Sequence, residues 1–478
     1  MLKYNLRNYF FIYAVLFTSN IFIRKVIKMF FKLGKLHIPH RKNTAEMPAV
    51  KVTPPSEVEI LMSQHIGAPA NPVVKVGDTV YVGTLIGEAQ GYVSSPVYSS
   101  VSGKVKKIEP HLLSNGRSCQ AILIESDSEM TPDPSITAPT VENFDDFRAA
   151  VSNSGLVGLG GAGFPTAVKL DAEKKGIIKK IVVNGAECEP YITSDTRTML
   201  DDIDHIKAGV DLMLKYISAD EVIFGVEENK PLCIAKLRET FREYDKVRVE
   251  SLPSTYPQGA EKMLIFNTTG LVIPEGGLPA DVGCIVLNVT SLAFIAKYIE
   301  TGMPLVEKCI TVDGSAIKNP MNVIAPIGTR ISHLIEFVGG YEGEVGKVLY
   351  GGPMMGTAVY TDSEPVLKST NAVIALSRAD SVAPKSYPCV HCGRCVAACP
   401  MGLNPTAYAK AMNVEDAADR SARLTDAKIN LCIECGCCSY ACPSRRPLVE
   451  TNRLAKANLR DYQTKQKELE AKQKEAEK

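Results

Sequence analysis

The period of apolar and polar alternation changes several times along this 478-residue chain, and each change marks a different kind of element. Between Gly34 and Asp127, stretches such as Val73–Val80 and Ser95–Val105 alternate with period two and break at Gly77-Asp78 and Ser102-Gly103. Side chains of a strand point to opposite faces in turn, so short alternating runs between glycine turns predict a small β-sandwich. Met130–Thr140, rich in Pro, Ser, Thr and Asp, predicts a linker. From Val141 to about Gly302, strand-like runs (Ile177–Val183, Glu221–Val226) alternate with helix-like ones (Asp201–Ile217, Leu232–Glu243). That order predicts an α/β unit with a mostly parallel sheet. Val306–Ala375 returns to short strands, punctuated by Gly339-Gly340, Gly343, Gly346 and Gly351-Gly352, with one helix near Ile331–Val338. Inside the cysteine-rich block Lys385–Leu448, the stretch Thr406–Leu424 reads as helical. Leu454–Lys478 mixes Lys, Glu, Gln and Ala and reads as a solvated helix or a disordered tail without chemistry.

Length alone points to several domains, because single cores stop growing near about 250–300 residues. The net charge of +1 gives no electrostatic footprint for nucleic acid. Tyr9–Ile23 is nearly all apolar and is flanked by Arg7 and by Arg24, Lys25, Lys28, Lys32 and Lys35. It is shorter than the roughly 20 residues a bilayer span requires. It reads as a basic membrane-surface anchor, a marginal span, or an upstream start with the initiator at Met29, the last being favoured. If it spans, the basic flank keeps the main body cytoplasmic.

The cysteines change the picture most. Of fourteen, eight form two copies of one spacing: Cys389, Cys392, Cys395 and Cys399 before Pro400, then Cys432, Cys435, Cys438 and Cys442 before Pro443. A cubane cluster needs four thiolates converging from different directions. In the bacterial ferredoxin run the fourth cysteine of each copy serves the other cluster. The expected ligand sets are therefore Cys389, Cys392, Cys395 and Cys442 for one [4Fe–4S] cluster, and Cys432, Cys435, Cys438 and Cys399 for the second. Zinc sites favour two distant C-x2–4-C pairs instead. Cys437 breaks the repeat and reads as a bystander thiol. The remaining cysteines show no disulfide framework, which fits a reducing compartment.

Ser154–Leu170 (SGLVGLGGAGFPTAVKL) holds a G-x-G-x-x-G string at Gly158, Gly160 and Gly163. Glycines let backbone N–H groups approach a phosphate, and Pro165 suits the first turn of a helix on which Lys169 adds a charge. A dinucleotide fingerprint also wants a strand just before the loop, and Val151–Val157 is a poor strand. A Gly-rich packing loop is the competing reading. Further on, Asn184-Gly185-Ala186-Glu187-Cys188-Glu189-Pro190 follows a strand, where open α/β sheets bind ligands. Gly259-Ala260-Glu261 and Asn288–Ser291 complete the set, the latter again at a strand end. Solvated turns are the alternative for Glu187 and Glu189.

Taken in order, these motifs resemble the FMN- and NADH-binding flavoprotein subunit of respiratory complex I. Several modules carry resemblances of their own. The sandwich is similar to a biotinyl/lipoyl-type barrel-sandwich, although its tip, Glu88–Tyr92, has no lysine for a cofactor; a docking or spacer role follows. The Val306–Ala375 block resembles a β-grasp (SLBB-like) module, either ligand-binding or a packing spacer. The layout as a whole resembles the RnfC subunit of the Rnf ion-translocating oxidoreductase complexes. It implies a multidomain α+β chain: an uncertain extension 1–33, a barrel-sandwich domain 34–129, an α/β FMN/NADH-binding domain 130–302, a β-grasp domain 303–378, a 2×[4Fe–4S] ferredoxin domain 379–448 and a charged tail 449–478. The resemblance also implies roles. Gly158, Gly160, Gly161 and Lys169 would wrap the FMN phosphate and ring edge. Asn184, Glu187 and Asn288 would contact the flavin, and Phe164, Glu189 and Glu261 would face NADH. Complex I carries arginines at the positions of Val157 and Leu159, Asp at Ala186 and Glu at Ala260, so the flavin and nucleotide contacts differ here.

The expected function is NADH-side electron transfer in a membrane-bound complex. Hydride exchange between NAD(H) and FMN would be followed by single-electron steps through two clusters to another subunit. Expected partners are the other Rnf subunits, membrane-embedded and ferredoxin-like, at the cytoplasmic face of the bacterial membrane. Two alternatives share the layout: a cobalamin reductase of the propanediol-utilisation type, and a non-catalytic iron–sulfur relay without flavin.

Overall fold

The structure, a computed structural model, describes residues 36–114 and 116–476. The apolar segment Tyr9–Ile23 and its basic flank lie outside the described residues. One compact unit is His37–Pro384, and a second holds the described residues from Lys385 onward.

At the centre of the first unit lies a four-stranded parallel sheet in the order Val247–Leu252, Glu221–Glu227, Lys180–Gly185, Cys284–Asn288. Three of its strands are largely apolar runs because both faces are covered, whereas the edge strand Val247–Leu252 (VRVESL) is half-exposed. Ile181, Val183, Val222, Phe224, Ile285 and Leu287 pack on one side with Met199, Val210, Met213 and Leu292 from the helices. Val182, Ile223 and Val286 pack on the other with Leu264 and Ile265. The first three strands in chain order step one way, and Cys284–Asn288 adds on the opposite side of Lys180–Gly185. The strand order therefore reverses between Lys180–Gly185 and Cys284–Asn288, where Asn184 and Asn288 stand in register.

The sandwich pairs a four-stranded sheet (Glu57–Leu61, Ser118–Ser126, Gly103–Leu112, Thr79–Val80) with a three-stranded one (Asn71–Pro72, Leu85–Glu88, Val97–Tyr98). Val58, Ile60, Ile86, Val97, Ile122 and Ile124 fill it. Gly77, at φ 95°, makes one of the predicted turns. The lysine-free tip docks: Tyr92 donates to Asp171 Oδ2 at 2.8 Å. The Met130–Thr140 linker is likewise tied down, with Thr84 Oγ1 donating to Asp133 Oδ2 at 2.5 Å.

The β-grasp block forms a six-stranded sheet in the order Val50–Lys51, Met321–Pro326, Glu307–Asp313, Ala372–Ser377, Val345–Tyr350, Thr357–Val359, with the helix Ile331–Phe337 on its core. Its edge strand Val50–Lys51 comes from the block read as sandwich. The chain before it touches both the α/β domain and the β-grasp sheet, His40 O accepting Tyr191 N at 2.9 Å and Thr44 O accepting Asn322 Nδ2 at 2.9 Å. No local periodicity announces so long-range a partner.

Three segments take a definite form. Phe144–Asn153 is a helix, in keeping with the poor strand character of Val151–Val157, and it leads into the glycine loop. The helical stretch Thr406–Leu424 is made of two helices, Pro405–Ala411 and Ala417–Asp426. The second starts afresh because the Asp416 carboxylate accepts Asp419 N at 2.7 Å, an N-cap that ends continuity. The tail is an ordered helix, Leu448–Ala476, whose Ala455 and Leu459 are fully buried with Tyr408 and Leu424. Among the described residues no helix is long and apolar enough to cross a membrane.

Candidate functional site

The glycine loop lies beside the reversal point. Gly158 N donates to Phe164 O at 2.9 Å and Leu159 N to Ser291 Oγ at 3.2 Å. Gly160, Gly161 and Ala162 are exposed, and the two glycines present bare backbone. A Cβ at Gly160 would stand 2.3 Å from Asn288 Nδ2, whereas one at Gly161 would meet nothing within 4 Å. Such side-chain-free backbone at a switch point suits a phosphate or a flat ring, so the loop fits a flavin.

All three modules brace the loop. From the sandwich, Ile66 N donates to Gly163 O at 3.2 Å. From the β-grasp module, Lys308 Nζ donates to Leu159 O. Lys368 Nζ reaches Gly155 O at 2.8 Å and Pro96 O at 2.6 Å. Both lysines are buried, and burial pushes each down to about 7. Sequence reasoning missed them. Lys308 had a signal: it shares the inward face of its strand with Ile310 and Val312, an apolar register that a lysine enters only with a partner.

The residues expected to bind are mostly engaged. Asn288 caps the helix Val289–Thr301, accepting from Thr290 N at 2.9 Å and Ser291 N at 3.2 Å, and donates to Asp195 Oδ2 at 2.7 Å. Asn184 Nδ2 donates to Gly259 O at 3.0 Å. Lys169 and Glu261 are brought together, Nζ to Oε2 at 3.5 Å, with Lys169 also on Val286 O at 3.0 Å. The Glu187 carboxylate sits on the N-terminus of the helix Ser194–Asp201, accepting Asp195 N at 2.7 Å and Thr196 Oγ1 at 2.6 Å. The Glu189 carboxylate accepts Met354 N at 3.0 Å and Met355 N at 2.7 Å from the β-grasp loop. Neither acid is a free, solvated turn residue.

Beneath this acidic turn lies Lys42, which the sequence did not single out. Its Nζ donates to the carbonyls of Glu187 (2.7 Å), Glu189 (2.8 Å) and Ile192 (2.6 Å). Burial, with the nearby Lys230 charge, lowers it to about 8. Burial pushes Glu187 up to about 7 against the pull of Lys42. Lys230 supports the same turn by donating to Ala186 O at 2.6 Å and Glu227 Oε2 at 2.9 Å.

In the second unit, one cavity is lined by Cys399, Cys432, Cys435 and Cys438, and another by Cys389, Cys392, Cys395 and Cys442. Each three-cysteine run wraps the same way. His391 (φ 53°) and Glu434 (φ 56°) are left-handed at equivalent positions, as are Gly393 and Gly436. This turn aims backbone N–H groups at the sulfurs: His391 N lies 3.4 Å from Cys389 Sγ. Cys437, fully buried, also borders the first cavity but matches Arg394 in the repeat, which borders neither. Among the described residues no three His, Cys, Asp or Glu converge tightly enough for a single ion. Four cysteines border each cavity, the donor set of a [4Fe–4S] cluster, so these residues fit two clusters.

Comparison with known proteins agrees with this organisation. Domain profiles match the RnfC barrel sandwich hybrid domain at residues 30–129, the Nuo51 FMN-binding domain at 151–297, an SLBB domain at 309–358 and a 4Fe-4S dicluster domain at 385–446. They define a class: an electron-transfer protein joining an FMN-binding domain of the complex I type to a two-cluster ferredoxin module. The chain is 42% identical, over 78% of its length and 85% of the relative's, to the RnfC subunit of a Na+-translocating ferredoxin:NAD+ oxidoreductase complex of Acetobacterium woodii. The corresponding subunit of the proton-translocating ferredoxin:NAD+ oxidoreductase complex of Clostridium ljungdahlii is 41% identical (77% of this chain, 80% of the relative). That of an ion-translocating oxidoreductase complex of Rhodobacter capsulatus is 35% identical (77% and 72%). This chain belongs to the RnfC family, the subunits of that type in the ion-translocating oxidoreductase (Rnf) complexes.

Proposed function

We propose that this chain is the NADH-side electron-transfer subunit of an Rnf complex at the cytoplasmic face of a bacterial membrane. It would work with membrane-embedded subunits and a ferredoxin-like subunit. The observation that carries the reading is the presence, in one chain, of a bare glycine loop at a sheet reversal point and two four-cysteine cavities. When bound, a flavin exchanges two electrons with NAD(H) and one at a time with iron–sulfur clusters. Gly158, Gly160, Gly161 and Lys169 would hold its phosphate and ring edge, with Asn184, Glu187 and Asn288 lining the crevice. Phe164, Glu189 and Glu261 would border the nucleotide. The Glu187 and Glu189 carboxylates also accept from the helix Ser194–Asp201 and the β-grasp loop, and so hold the turn's backbone in place. Cys389, Cys392, Cys395 and Cys442 would hold one cluster, and Cys399, Cys432, Cys435 and Cys438 the other. Ion movement belongs to the membrane partners.

The test is anaerobic purification with iron, sulfide and flavin quantified, followed by NADH titration. Two clusters, one flavin and reduction of the clusters by NADH are expected. Clusters without flavin, unbleached by NADH, would select the relay reading.

A further inference from the structure

Asn452 stands outside both cysteine repeats, in the second turn of the helix Leu448–Ala476. It is 1% exposed. Its Nδ2 lies 3.5 Å from Cys432 Sγ and 3.9 Å from Cys438 Sγ, while its Oδ1 is buried without a partner. One turn on, Lys456 Nζ donates to Cys432 O at 2.9 Å and to Glu434 Oε1 at 2.7 Å. The i, i+4 spacing puts both side chains over the same cysteine loop. The other cavity has a different border: His391, Asn404, Thr406 and Arg446 line it, and Cys392 is exposed.

A cluster-bound thiolate is an acceptor only, so a buried amide touching two of them turns its N–H2 toward the sulfurs. That leaves the amide oxygen stranded, an arrangement that costs free energy and makes sense only if the donor side has a use. Reduction adds negative charge to the cluster and its sulfurs. A fixed donor stabilises the reduced form more than the oxidised one and raises the reduction potential.

We propose that Asn452 is a positioning and tuning residue for the cluster of Cys399, Cys432, Cys435 and Cys438, raising its potential through N–H donation to Cys432 and Cys438. Lys456 supports it by holding the Cys432 loop against the helix. The inference rests on the ligand sets proposed above.

The experiment is a redox titration of the anaerobically purified full chain, followed by electron paramagnetic resonance, with iron counted in parallel. Asn452→Leu keeps the branched shape, with somewhat more bulk, and removes the donor. It is expected to retain full iron and move one cluster's midpoint to more negative potential, leaving the other unmoved. Asn452→Asp, nearly the same shape with added negative charge, should move the same midpoint further in the same direction. Asn452→Gln, which keeps the donor, should lie nearest the wild type. Unmoved midpoints in the Leu and Asp variants overturn the proposal. So does loss of half the iron in all three variants, which would make Asn452 a packing residue. A wild-type chain without two clusters overturns the ligand sets first, and is read from its iron content alone.

Discussion

The amide of Asn288 occupies the space that a side chain at Gly160 would need, with Nδ2 2.3 Å from the Cβ position. The glycine loop and the strand end thus interlock, although 128 residues separate them in the sequence. Asn288 cannot simply swing away. It caps its helix and holds Asp195, whose other carboxylate oxygen accepts Thr290 Oγ1 at 2.7 Å.

Gly160→Ala is therefore expected to displace the loop or break the cap, lowering both thermal stability and flavin content. Flavin affinity should fall about tenfold or more, since ~1.4 kcal/mol of strain suffices for that factor. Gly161→Ala meets open space and should leave the melting temperature unchanged while lowering flavin affinity. Equal melting losses in the two variants would refute the distinction.

Glu189→Ala removes the acceptor of two backbone N–H groups of the β-grasp loop. Met354 is half-buried and Met355 exposed, so water can take over part of what is lost, and a modest fall in melting temperature is expected. NADH oxidation should weaken while both clusters stay intact. Unchanged kinetics and stability would remove Glu189 from the site.

Lys308 and Lys368 make stability depend on pH. Each ordinarily titrates near 10.5 and is pushed down to about 7 by burial in the folded chain. Between these values the unfolded chain binds more protons, so their contribution to stability rises with pH from about 7 to about 10.5. Below that window both states carry the proton and the contribution is flat. Lys308→Met should flatten the rise in melting temperature between pH 7 and pH 9 relative to wild type. An identical slope in the variant would count against a neutral, buried lysine.

Cys399→Ala should abolish the cluster whose other ligands are Cys432, Cys435 and Cys438, and spare the one beside Cys389. Cys437→Ser, altering a thiol that matches no ligand position, should keep full iron. Electron paramagnetic resonance of the reduced variants separates the two signals; loss of the Cys389 cluster in Cys399→Ala would contradict the crossed ligand sets.

The sequence by itself determined the features that depend on spacing and period. The cysteine repeats are legible because thiolates must reach one cluster from a few consecutive turns. The parallel strands are legible because a sheet covered on both faces needs unbroken apolar runs, and the glycine loop because bare backbone has no substitute. Tertiary structure alone decided which polar groups remain available for chemistry. Glu187 and Glu189 are captured by a helix terminus and by a loop some 165 residues away. Lys42, Lys308, Lys368 and Asn452 become important only where a distant chain segment supplies carbonyls or thiolates. The physical reason is common to all of them: a buried polar group must find its partner within about 3 Å, or slightly more for sulfur, and packing, not proximity along the chain, decides which atoms lie at that distance.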